Sequence, residues 1–155
     1  MTDTSLAAVL DDLSEELVAG TDLKAVYTIT GTEADDGSLR PIPPSFDSLP
    51  VGILWFQGET VDAGNAEATV DSITLLIFQR GTNGGYGYST LVPYTDAIRI
   101  LMRKDIAQHE RATRRLYRGA GQIYPQTIDN GQPYLVLPIN IEITRYHYSD
   151  DYSDT

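Results

Sequence analysis

The side chains able to do chemistry are few in kind and poorly grouped. The chain has no cysteine, which removes disulfides, thiolate metal ligands and thiol nucleophiles. Its two histidines, His109 and His147, are far apart, and neither has a neighbour spaced as a second metal ligand. Both read as surface residues. Asp35-Asp36-Gly37 looks like the start of a calcium loop, but the Asp-x-Asp-x-Asp-Gly spacing and the closing Glu are missing, so it reads as a turn. Gly81, Gly84, Gly85 and Gly87 lie in GTNGGYGYS with no Gly-Lys-Ser/Thr behind them, which argues against a phosphate-binding loop. No Gly-x-Ser-x-Gly elbow is present. Carboxylates are so common that two close in sequence carry no acid–base meaning. No catalytic set, metal site or cofactor site is expected.

What is grouped is charge. The formal net charge is −11, and residues 1–62 hold twelve acids against two bases. Residues 99–118 reverse this, with seven bases against two acids. Such a basic stretch can hold phosphates, be a plain solvated face, or match the acidic half of a neighbouring copy. We favour the last over phosphate binding, because one chain supplies both signs and no nucleic-acid-reading motif accompanies the bases. The ten tyrosines suit interfaces better than a core. The residues expected at inter-subunit or partner contacts are Arg99, Arg103, Arg111, Arg114 and Arg115, together with Tyr86, Tyr88 and Tyr146.

The elements that must position these groups follow from periodicity. Leu6, Val9, Leu10, Leu13 and Leu17 form one apolar stripe, predicting a helix over 5–19 with Ser5 as N-cap and Gly20 just past its end. Asp11, Asp12, Glu15 and Glu16 fall off that stripe. Residues 23–30 read as a strand, and the four prolines of 31–50 as a long loop. VGILWF (51–56) reads as a buried strand ending in a polar turn at Gly58 and Gly64, followed by a long strand over 66–80. The glycine-rich 81–89 reads as a mobile loop. A second helix is expected from Val92 to Lys104, burying Tyr94, Ala97, Ile98, Leu101 and Met102. Residues 105–118 read as a helical extension or a loop. Pro125 makes 121–128 an edge strand, and Asp129-Asn130-Gly131 turns it into a last strand over 133–148. There Leu135, Leu137, Ile139, Ile141 and Ile143 share one face, so a one-residue slip would expose five large aliphatics.

The expected fold is α+β: one mainly antiparallel sheet with two helices packed on one face. The expected organisation is a single domain over 1–148 with its long loop at 31–50, then a short acidic, disordered tail over 149–155. Two helices cover one side of such a sheet, leaving Leu76, Phe78, Val136 and Tyr146 on a candidate partner face. No apolar run reaches the ~20 residues that span a bilayer. The early acids of MTDTSLAAVLDDLSEEL do not suit a secretory signal, so a soluble protein made in the cytoplasm is expected.

Three stretches resemble the tail-terminator and head-to-tail joining proteins of long-tailed bacteriophages: LAAVLDDLSEELVAGTDLKAVYTI, STLVPYTDAIRILMRKD and YLVLPINIEITRYHY. The resemblance implies a structural virion protein of the tail and neck, assembled in the host cytoplasm. It implies a homohexameric ring that ends the tail tube, touches the tail-tube protein and the head-closure or connector proteins, and passes DNA through its lumen. An acidic lumen would repel that DNA. A head-closure protein, a connector adaptor or a tail-tube-related subunit is the neighbouring alternative. A small enzyme or ligand-binding domain, marked by a deep pocket with converging polar groups, is the alternative of another class. The 31–50 and 105–118 segments have no counterpart in the resemblance.

Overall fold

The computed structural model describes residues 5–29, 41–45, 47–61, 68–81, 86–108, 113–127 and 133–146. They form α1 (Leu6–Gly20), β1 (Ala25–Ile29), β2 (Val51–Val61), β3 (Ala68–Arg80), α2 (Tyr86–Leu91), α3 (Pro93–Gln108), β4 (Thr113–Ala120), β5 (Tyr124–Thr127) and β6 (Pro133–Tyr146). Helix α1 starts where its sequence says it should: Ser5 is extended and its side chain accepts from the Ala8 amide at 3.3 Å. Its end differs from expectation. Gly20 is the last helical residue, and the Thr21 hydroxyl donates to the Leu17 carbonyl at 2.5 Å while accepting from the Leu23 amide at 3.2 Å. A hydroxyl thus does what a left-handed glycine was expected to do.

The fold is α+β. The six strands run β1-β2-β3-β6-β4, with β5 also on β6. Only β1 and β2 are parallel; every other pairing is antiparallel. The apolar rows of α1 and α3 close on one face over Leu54, Ile73, Leu75, Ile77 and the whole row Leu135, Leu137, Ile139, Ile141 and Ile143. At roughly 25 cal/mol per Å² of apolar surface, that row dominates what fixes the register.

Three local expectations change. Strand β2 runs through Gly58 to Val61 instead of turning there, and a bulge between Phe56 and Gly58 absorbs the glycine. The basic stretch after 112 is strand β4, not helix or loop. Its charge hid its nature, since an edge strand needs only a few inward apolar groups. A second bulge in β4 puts Gly119 at φ +106°, a backbone shape that favours glycine. Part of the glycine-rich loop is helical: α2 carries Leu91 fully into the core.

The second sheet face is the largest correction. Val51, Ile53, Leu76, Phe78, Tyr134 and Val136 form a second buried cluster there, with Leu49, Trp55 and Tyr124 against it. Pro41, Pro43 and Pro50 are buried too, and from the proline-rich segment Leu49 packs against this cluster. Leu76, Phe78 and Val136 are therefore interior groups, not a partner face. The rest of that face is mainly polar, with Val70 and Leu116 half-buried on it. Ser72 and Asn140 are exposed, and the Thr74 hydroxyl lies 3.3 Å from the Asn140 side-chain oxygen.

Candidate functional site

Of the expected contact residues, α3 carries Arg99 and Arg103 and β4 carries Arg114; all three are exposed. Arg118, also on β4, is exposed and lies 3.4 Å from a Glu142 carboxylate oxygen. Helix α3 packs along β4, so Arg99 and Arg103 lie on the helix side of this edge, while Arg114 and Arg118 lie on its other face. Arg99 pairs with Asp96 one turn earlier, both side chains well exposed, so the pair adds little stability and leaves the site wet. Arg115 is a correction. It is 2% exposed and ion-paired with Glu16 on α1, so it holds the helices to the sheet and does not present itself at a surface. Strand parity explains this: Arg115 pairs with Ile143 and turns toward the helices, while Arg114 pairs with Thr144 and turns away.

Tyr88 is 45% exposed on α2. Tyr146 ends β6 half-buried. Tyr86 opens α2, but its side chain is outside the described residues, as are Arg111, both histidines, the Asp35-Asp36-Gly37 turn and the 149–155 tail.

The acidic counterpart was visible in sequence only as residues off the stripe. Helix geometry now sorts them. Glu16 reaches Arg115, and a Cβ on Gly20 would meet the Leu101 side chain of α3 at 3.1 Å. That flank of α1 therefore faces α3. Asp11, Glu15 and Val18 follow one another at i, i+4 and i+7 on the other flank, all exposed. The same construction applies to α3. Leu101 marks its flank toward α1, and Arg99 and Arg103, again four apart, lie on the flank away from it. The helical layer thus has an acidic outer flank on the α1 side, and on the α3 side an outer flank that carries two bases, Arg99 and Arg103, beside one acid, Asp96, paired with Arg99.

A buried charge cluster was missed altogether. Asp71 on β3 is fully buried, and Arg145 on β6 is 7% exposed. The Arg145 guanidinium donates through Nε to Asp71 Oδ2 at 2.6 Å, and through Nη2 to Asp71 Oδ1 at 3.3 Å and Glu59 Oε2 at 2.7 Å. The signal was parity: Asp71 continues the inward row of Ile73, Leu75 and Ile77, and Arg145 continues that of Ile141 and Ile143. Every donor direction used here points at a carboxylate of the same chain.

A cleft of about 610 Å³ lies between the end of α1 and the start of α3, lined by Thr21, Asp22, Lys24, Ser89, Pro93 and Tyr94 among others. Tyr94 is 7% exposed, and burial, then the nearby Asp22 charge, push its hydroxyl up to about 12. It stays protonated through the physiological range. Among the described residues, no group of three or more acidic or histidine side chains gathers to hold a metal. No helix there is long and apolar enough to cross a membrane. Set against known proteins, the chain matches no protein-family model and no curated protein sequence.

Proposed function

We propose that the chain is a structural subunit of the neck of a tailed bacteriophage, forming a ring that ends the tail tube and docks the tail to the head. One observation carries this reading: the three stretches that resemble tail-terminator proteins form the frame of the subunit. The first is α1 leading into edge strand β1, the second is α2 and α3 leading to the opposite edge strand β4, and the third is β6, which joins β3, β4 and β5 into one sheet. The buried charges Asp71, Arg145 and Arg115 are committed to ties within the fold, Asp71 to Arg145, Arg145 also to the exposed Glu59, and Arg115 to the half-buried Glu16, which fits a scaffold better than a reaction centre.

The open surface that such a subunit needs is smaller than the sequence suggests. One end of the second face is sealed, so the contacts with neighbours fall on the charged flanks and on the polar end of the sheet. The test is electron microscopy of phage assembled without this gene product. Filled heads separated from tails of abnormal length are the expected result. Normally joined particles with tails of normal length would overturn the neck assignment.

A further inference from the structure

The two outer flanks of the helical layer are matched in spacing as well as sign. Asp11 and Glu15 are four residues apart on α1, and Arg99 and Arg103 are four apart on α3. Residues four apart on a helix surface stand about 5–6 Å from each other. Two such flanks brought side by side place two carboxylates opposite two guanidiniums without any change in the backbone.

They also face outward in opposite directions. The inner flanks are spent on each other, through Gly20 against Leu101, and on the sheet, through Glu16 and Arg115. Beneath α1 lies edge strand β1; beneath α3 lies edge strand β4, whose Arg114 and Arg118 are exposed on the face turned away from the helices. Val18, 40% exposed, stands one turn after Glu15, and Ile100, 51% exposed, stands one turn before Arg103.

We infer that the partner of each flank is a second copy of this chain, the α1 flank of one copy lying against the α3–β4 flank of the next. The chain's own charge decides between occupants. A basic flank alone would accept any polyanion, but a polyanion leaves the acidic flank unmatched and is repelled by the net −11 of the subunit. A second copy satisfies both. Because the two flanks are different surfaces, the contact is head-to-tail, and repetition yields a closed ring or an open chain instead of a two-fold dimer. This rests on the neck assignment for its biological setting and not for its geometry.

The absence of cysteine makes the contact directly testable. The full-length Glu15→Cys/Arg103→Cys variant, concentrated and mildly oxidised, should give a ladder of covalent multimers, with neither single-cysteine variant giving one. Arg99→Glu with Arg103→Glu should weaken self-association by about tenfold or more, since like charges are then apposed. Adding Asp11→Arg and Glu15→Arg to that variant should restore it. A ladder missing from the double-cysteine variant, or charge reversal without effect, would each overturn the contact. The two readings fail separately: the ladder would still form in a protein with no role in phage, and phage lacking the chain would still lose tails if the ring closed through another surface.

Discussion

The two ends of the sheet are held by different physics. At the end where β2 begins, both faces are apolar: Leu54, Leu75 and Ile77 lie under the helices, and Ile53, Leu76, Phe78 and Val136 lie on the other side. At the end where β6 finishes, the helix-side row switches to Asp71 and Arg145, and the opposite face carries Ser72, Glu142 and Thr144. One end is held by non-directional burial, and the other by a bidentate ion pair whose geometry permits few alternatives. The first end should tolerate conservative change and the second should not.

Breaking the charged end should have the largest effect. Arg145→Ala leaves Asp71 fully buried with its main cation gone, and a loss of about 3–5 kcal/mol is expected. Denaturant unfolding of the purified chain measures it. Arg145→Met combined with Asp71→Leu removes both charges and should lose far less than the single variant. A double variant as unstable as Arg145→Ala would mean that packing, and not the unpaired carboxylate, sets the cost.

At the apolar end, Leu76→Ala should cost about 2–4 kcal/mol, from lost burial plus the cavity it leaves. Leu76→Met, which keeps the volume, should stay within about 1.5 kcal/mol. If Leu76 lay on an open face, as the sequence alone suggested, the alanine variant would be nearly silent in the same unfolding experiment.

That contrast also shows what was readable in advance. The α1 stripe, the β6 row and the two-layer plan followed from periodicity, because each apolar group there repeats at the interval its element dictates. The second face was misread for a specific reason. Leu76, Phe78 and Val136 do alternate away from the helices, as parity requires, but the groups packed with them, among them Tyr27, Leu49, Trp55 and Tyr124, come from separate segments that no single period connects. Strand β4 was missed because TRRLYRGA fully buries only Arg115, with Thr113, Leu116, Tyr117 and Gly119 half-buried, so its most buried position carries a charge where an apolar residue would have flagged it. For the site, the sequence supplied the charged residues and their sign. It did not supply the sorting into flanks, which needed the contacts of Glu16 and Gly20 to orient α1 and that of Leu101 to orient α3.

The smallest expected effect sharpens the comparison from inside the apolar end. Tyr94 is packed in the helix-side core, with a hydroxyl that ionises only near 12 because burial, and secondarily Asp22, disfavour the phenolate. In the unfolded chain the same group ionises near 10. Below about 10 both states are protonated and the full stability remains; as pH rises from 10 to 12 the unfolded chain alone releases the proton, and stability falls. Tyr94→Phe removes this contribution. Its unfolding midpoint should match the parent chain at pH 8 to within a small packing difference and fall less steeply above pH 10. An identical fall in both proteins would place the alkaline sensitivity on other tyrosines and show that the Tyr94 hydroxyl is not shielded from water at the cleft.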